Sequence, residues 1–146
     1  MPKMIFVNLP VADVAKATAF YEAIGATKNP MFSDETASCI VFSDTIYAML
    51  LSHEKFASFT PGRKIANAHD AVGALICISE ESKDDVNTVV DKAGQAGGTP
   101  DATPVQDHGF MFSRSFADPD GHIWEVMWMD PAAAAGGPEA MVEAAV

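Results

Sequence analysis

Three side chains in the last third of the chain have the means to do chemistry: Glu125, Arg114 and His108. Glu125 interrupts Ile123-Trp124-Glu125-Val126-Met127-Trp128, a run otherwise made of large apolar residues. A carboxylate left alone on a buried face is costly, so this one calls for a metal, an arginine, a ligand or water. Upstream, Asp118-Pro119-Asp120-Gly121 is a turn, because Pro119 presets φ and Gly121 accepts a positive φ. If residues 118–121 form the loop of a hairpin, Glu125 falls opposite Arg114, with Phe112 and Phe116 on the same face. Arg114 then either neutralises Glu125 as a structural ion pair or keeps its guanidinium for a carboxylate or phosphonate on a ligand. His108, beside Asp107 and just before a strand, is either a plain loop residue or an imidazole suited to general acid/base work. His122 reads as a solvated turn residue, and His53 and His69 edge a polar connection without any paired motif.

The elements that must hold these groups form a repeated order. Met4–Val11 reads as a strand, Asp13 caps a helix with an apolar stripe at Val14, Ala17, Phe20, Tyr21 and Ile24, and Gly25 ends it. Strands follow at Thr27–Phe32, Ala37–Phe42 and Ile46–Ser52, the last two joined at Ser43-Asp44-Thr45. After a polar connection the pattern restarts: a strand at Val72–Ser79, a helix capped by Ser82 and ended by Gly97-Gly98, then strands at Thr99–Val105, Phe110–Ala117 and Ile123–Met129. Gly25 and Gly97 lie 72 residues apart and the turns at Ser43 and Asp118 lie 75 apart, so separate landmarks share one offset and indicate an internal duplication. The organisation expected is a first βαβββ module at 1–52, a linker at 53–71, a second βαβββ module at 72–130 and a flexible tail at 131–146, which is a frayed extension or a short helix from Glu139. The segment Thr60-Pro61-Gly62-Arg63-Lys64 is a solvated linker or a lid.

Composition narrows the function. The chain has 146 residues, 49% hydrophobic, enough for a packed core. A net charge of -11 argues against nucleic acid or an anionic membrane as partner, since both require clustered Lys and Arg. Cys39 and Cys77 lie in apolar runs and are expected to be buried reduced thiols. No signal-peptide pattern or long apolar run occurs, so a soluble cytoplasmic protein is expected. There is no nucleophile elbow, phosphate-cradling glycine loop or H-E-x-x-H motif.

The opening Phe6-Val7-Asn8-Leu9-Pro10-Val11-Ala12-Asp13, followed by Phe20-Tyr21 and Ile24-Gly25, and the closing Asp118-Pro119-Asp120-Gly121-His122-Ile123-Trp124-Glu125 resemble the vicinal oxygen chelate superfamily. That group includes glyoxalases, bleomycin resistance proteins and extradiol dioxygenases. The resemblance spans roughly Met4 to Asp130 and implies an α+β fold in which two βαβββ modules form a half-barrel cup with helices outside. Metal-dependent members place a ligand on the first and last strands of each module. Here those positions carry Phe6, a residue near Gly73, Ala48 or Leu50, and Glu125, so only Glu125 is a usual ligand type and no metal is expected, a catalytic metal needing about three protein ligands. No cofactor is implied, although a divalent metal completed from elsewhere stays open.

With Glu125 facing inward as in the family, Ile123 and Met127 line the cup and Trp124, Val126 and Trp128 pack under the helices. Phe6 and Asn8 share a face of the first strand, Leu75 and Cys77 a face of its counterpart, and Tyr47 belongs with the helix-facing core. Asn8 serves a ligand or a neighbouring backbone group. The resemblance implies a small, partly apolar molecule bound by Phe6, Asn8, Phe112, Arg114 and Glu125. The alternative is a lactoylglutathione-lyase-like lyase or isomerase, or a dioxygenase, using a metal or His108 and Glu125 as catalytic acid and base. A third reading is a module that binds protein through its sheet edges. A homodimer is expected, since the family commonly builds cups from two chains.

Overall fold

The computed structural model describes residues 2–135, and the chain folds as two compact units. The first comprises Met1–Gly73 together with Asp118–His122, and the second Ala74–Ala117 and Ile123–Val146. The fold is α+β, with one mixed sheet per unit and no closed barrel among the described residues.

In the first unit the order is β1 (Ile5–Val11), α1 (Val14–Ala23), β2 (Thr27–Asn29), β3 (Ala37–Val41), β4 (Ile46–Ser52) and α2 (His53–Phe59). Asp13 caps α1 as its residue type predicts, its carboxylate accepting from the Lys16 amide at 3.0 Å. β2 stops three residues earlier than expected because Asn29 caps a 3-10 turn at Pro30–Phe32, and Pro30 cannot extend a ladder. The sheet runs β1-β4-β3-β2, with β1 parallel to β4 and the other pairs antiparallel. Helix α1 packs on β3 and β4. Phe20, Tyr21 and Ile24 of its stripe are buried together with Val11, Ile40, Ala48 and Leu50, each large apolar side chain contributing about 1.5–3 kcal/mol. The connection expected to be a linker opens instead with α2, because the Ser52 hydroxyl accepts from the Lys55 amide at 3.1 Å and Glu54 sits favourably in the first turn.

The second unit carries β5 (Ile76–Ser79), α3 (Lys83–Gln95), β6 (Thr99–Pro100), β7 (Gln106–Asp107), β8 (Met111–Ala117), β9 (Ile123–Met129) and α4 (Pro131–Ala135). Its sheet runs β5-β9-β8-β6, with β5 parallel to β9, and β7 also pairs with β8. The single strand expected over Thr99–Val105 is broken: Pro100 ends β6, Asp101 adopts φ +52°, and pairing resumes only at Gln106. Val86, Val90 and Ala93 of α3 are fully buried, as are Phe116, Trp124 and Val126 of the sheet, on which α3 packs. The expected tail begins with helix α4; the helix considered from Glu139 lies outside the described residues.

The turn Asp118–His122 is set by one carboxylate. Asp118, 3% exposed, accepts from the Tyr21 hydroxyl at 2.5 Å and from the amides of Asp120 and His122, both at 2.9 Å. Asp120 in turn accepts from the Ala12 amide at 2.8 Å. Gly121 has φ +93°, and a Cβ there would stand 2.8 Å from Ala68 C and His69 N, so only glycine fits.

Burial pushes the Asp118 carboxyl above its usual range, outweighing the hydrogen bond from Tyr21. A folded-state value above the unfolded one means that the native state holds the proton more tightly, so this group's stabilising contribution is complete below the unfolded pKa and disappears as pH rises through the folded one. Asp118→Asn therefore flattens the pH dependence of stability in that window, measured as the difference between wild-type and variant urea midpoints from pH 3 upward. Tyr21→Phe strands one carboxylate oxygen and lowers stability by about 1–3 kcal/mol; unchanged midpoints in both variants contradict the role given to Asp118.

Candidate functional site

Alternation along β1 separates Phe6, Asn8 and Pro10 from Val7, Leu9 and Val11. The pairing with β4 places Tyr47 and Met49 beside Phe6 and Asn8, while Ala48 and Leu50 pair with Val7 and Leu9. Ala48 and Leu50 have no exposed surface and belong to the buried face. The positions on the open face of β4 are thus Tyr47 and Met49. Tyr47, expected in the core, is only half-buried. Its ring stacks on Phe6 with centroids 4.7 Å apart and planes 11° from parallel, and its hydroxyl donates to the Asp44 carbonyl at 2.9 Å. Phe6 remains 47% exposed and Asn8 is exposed beside it. The result is an aromatic and thioether surface with one amide, able to take an apolar molecule and satisfy a polar group on it.

In the second unit the register overturns the expected partnership. Arg114 pairs with Val126, and Glu125 with Ser115. Ala117 pairs with Ile123, so the hairpin loop comprises residues 118–122, one residue longer than expected, and that single residue moves Arg114 and Phe112 to the face opposite Glu125. Phe116 moves with them and is buried against Trp124, their ring centroids 6.5 Å apart. Arg114 lies on the helix side: its Nε and Nη2 donate to the two carboxylate oxygens of Asp101, both at 2.9 Å, and Nη1 donates to Asn87 at 2.9 Å and Asp91 at 3.2 Å. These bonds hold the Asp101 carboxyl below its usual range. Phe112 faces the same side, where the Lys83 ammonium lies 6.0 Å from its ring and 5.5 Å from that of Trp128.

Glu125 itself is half-buried and shares its face with Cys77, Ser113, Ser115 and Met127. Cys77, expected to be buried, is exposed, because β5 turns this side away from α3. Partial desolvation of its sulfur by the surrounding strand residues, followed by the Glu125 charge, raises the thiol above its usual range although the residue as a whole is exposed, which disfavours a nucleophilic thiolate. The donor set on the two open sheet faces is poor for a metal: Phe6, Asn8, Tyr47 and Met49 on one, and a single carboxylate with a protonated thiol on the other. Among the described residues no three His, Cys, Asp or Glu side chains are grouped to hold an ion. These two faces hold fewer donors than the three or so that the metal implied by the resemblance requires.

His108 is exposed in the turn between β7 and β8, its ring stacked on Phe110 at 6.2 Å and its amide bonded to Met111. Asp107 does not orient that imidazole; its carboxylate accepts from the Gly109 amide at 3.0 Å and lies 3.9 Å from Lys83 Nζ. Met111 pairs with Met129, four residues beyond Glu125 on β9, a strand length of about 13 Å. His108 and Glu125 are not brought together as an acid and base.

Sequence reasoning missed a different grouping. A cleft of about 330 Å³ in the first unit is lined by His53, His69, His122, Asp120 and residues around Pro10 and Asn67. His122 is half-buried rather than solvated, and its Nε2 donates to the Pro10 carbonyl at 2.8 Å. No local motif announced this, since the three imidazoles come from three distant segments.

The Arg114 network is a structural clamp joining α3, β8 and the Asp101 bend. Arg114→Ala is expected to lower stability by about 1–2 kcal/mol, and Arg114→Lys to restore little of it because an ammonium lacks the two-pronged fork. Thermal and urea denaturation of both variants decide it; full rescue by lysine would show that the charge alone matters.

Residues 3–44 match the family described as bleomycin resistance protein-like N-terminal. No curated protein matches the chain by sequence. Solved structures do: a hypothetical protein from S. aureus, 22% identical, covers 88% of this chain and 95% of its own with a TM-score of 0.70. A glyoxalase-related enzyme from Fulvimarina pelagi is 18% identical over 88% of each chain, with a TM-score of 0.70. The fosfomycin resistance protein FosX from Mesorhizobium loti is 15% identical over 92% of this chain and 98% of its own, with a TM-score of 0.64. The two strand-helix-strand modules and the opening motif thus converge on one answer: the chain has the fold of these glyoxalase-related and fosfomycin resistance structures, and its N-terminal segment is similar to that of the bleomycin resistance protein-like family.

Proposed function

We propose that the protein binds a small, partly apolar molecule on its open sheet face without a tightly held metal, as a sequestering protein of the glyoxalase/bleomycin-resistance type. One observation carries the reading: a phenylalanine ring left half in water, stacked on Tyr47 and flanked by Asn8 and Met49. A planar apolar ligand stacked on Phe6 removes that ring from water, and Asn8 offers it both a donor and an acceptor. Glu125, on the open face of the second unit's own sheet, is a separate carboxylate able to take a cationic or hydrogen-bonding group. Phe112 and Arg114 have no part in this reading, since both serve the helix side, and His108 stands apart from Glu125. No described helix is long and apolar enough to cross a membrane.

With Nile red as a neutral planar probe, Phe6→Ala is expected to weaken binding by about tenfold or more, corresponding to about 1.5–3 kcal/mol of lost burial. Equal affinity in wild type and variant removes the platform from ligand binding. Elemental analysis of protein purified without chelator is expected to find substoichiometric metal, whereas stoichiometric Ni, Zn, Fe or Mn favours the lyase or dioxygenase alternative.

A homodimer completes the reading. Met4 and Ile5 at the start of β1 expose 48% and 55% of their surface, apolar side chains suited to burial by a second copy that leaves the Phe6 platform free. Light scattering at micromolar concentration is expected to give twice the chain mass, and a monomer contradicts it.

A further inference from the structure

Three of the chain's four histidines line a single cleft. They arrive from separate places: His53 opens α2, His69 lies in the loop after it, and His122 ends the Asp118–His122 turn. The whole cleft belongs to the first unit. It is a built feature rather than a loose gap. Gly121 lets the turn approach the backbone of Ala68 and His69 so closely that any side chain there would collide, and His69 Nδ1 stands 2.9 Å from where its Cβ would be. Asp120 is tied to the Ala12 amide, and His122 Nε2 to the Pro10 carbonyl.

Those bonds determine which polar atoms of the lining are already engaged. Because a carbonyl only accepts, Nε2 of His122 carries its proton, and Nδ1 is the nitrogen left over. One oxygen of Asp120 is consumed by the Ala12 amide. His53 and His69 have no ring hydrogen bond among the described residues, nor does Nδ1 of His122. Lys and Arg are absent from the lining, whose one carboxylate is Asp120; the segments that carry the rings also hold Asp118, which accepts from the His122 amide, Asp70, bonded to Asn67, and Glu54, next to His53 in α2. The imidazole is the side chain that gains charge close to neutral pH. A protonated imidazole offers N–H donors only, and the lining holds three imidazoles against one partly occupied carboxylate, in a protein whose net charge is -11. A cleft of about 330 Å³ suits a small molecule rather than a macromolecule.

We propose that this cleft binds a small oxyanion, a phosphoryl, sulfuryl or carboxylate group, through the imidazoles of His53, His69 and His122, with uptake of protons on binding. It is a second site, independent of the Phe6 platform. Charge-assisted N–H···O bonds from imidazolium to an anionic oxygen are the strong class of hydrogen bond, and each proton taken up makes affinity rise as pH falls.

Isothermal titration of the full chain with sulfate, whose charge is constant over the range, and with acetate, tests the proposal at about pH 6 and pH 8. Sulfate binding is expected to be about tenfold or more tighter at the lower pH. His53→Gln and His69→Gln, both exposed positions whose thermal midpoints are checked first, are each expected to weaken it by about tenfold. The acetate arm separates a planar carboxylate from a tetrahedral group: binding of either anion with this pH and histidine dependence supports the site. Absence of binding by both anions at the lower pH, or affinity indifferent to pH and to both substitutions, overturns it. Chemical shift changes confined to His53, His69 and His122 on adding sulfate give a second readout, and changes elsewhere alone also overturn it.

Discussion

A single buried carboxylate orders the part of the molecule on which the rest of the site depends. Asp118 has almost no contact with water and accepts from one hydroxyl and two amides, so its turn closes at His122 and the loop has an odd number of residues. Side chains alternate across a sheet with a period of two, and a hairpin loop of odd or even length therefore decides which residues of its two strands share a face. With Ala117 opposite Ile123, Arg114, Phe112 and Phe116 fall with Val126, Trp128 and Trp124, and Glu125 falls with Ser115. Removing one residue from that loop would exchange the faces of one strand relative to the other.

The consequence is a division of labour between the two sides of the second sheet. The side under α3 takes the cationic groups: Arg114 gives two parallel bonds to Asp101 and two more to α3, and Lys83 lies over the rings of Phe112 and Trp128. A guanidinium whose fork is already filled on one edge by a carboxylate is spent on structure. The open side holds Glu125 with Cys77, the Ser113 hydroxyl and methionines, a sparse set of hard or borderline donors, while the Ser115 hydroxyl is buried and engaged by Thr103.

The first unit sets two different surfaces apart. Its open sheet face is aromatic and nearly uncharged, whereas the end of β1, the start of α2 and the Asp118–His122 turn enclose a cleft of imidazoles. Gly121 joins the two themes. Its positive φ terminates the turn that Asp118 organises, and its missing side chain admits the His69 segment as a wall of the cleft.

What the sequence alone determined is everything that short-range physics controls. Periodicity and caps located α1 and α3, since Asp13 and Ser82 satisfy amides three residues ahead of themselves, and the order of elements along the chain repeats from the first half to the second. Pro119 and Gly121 fixed the existence of the turn. Its length was not legible, because it rests on a hydrogen bond between Asp118 and Tyr21, 97 residues apart in sequence. That one residue of register decided the fate of Arg114, Phe112 and Glu125. The exposure of Cys77 and the stacking of Tyr47 on Phe6 likewise depend on which side of a sheet a helix covers, and the meeting of His53, His69 and His122 depends on three segments arriving at one place. Local propensity carries no information on contacts between residues far apart along the chain, and there only the tertiary structure could decide.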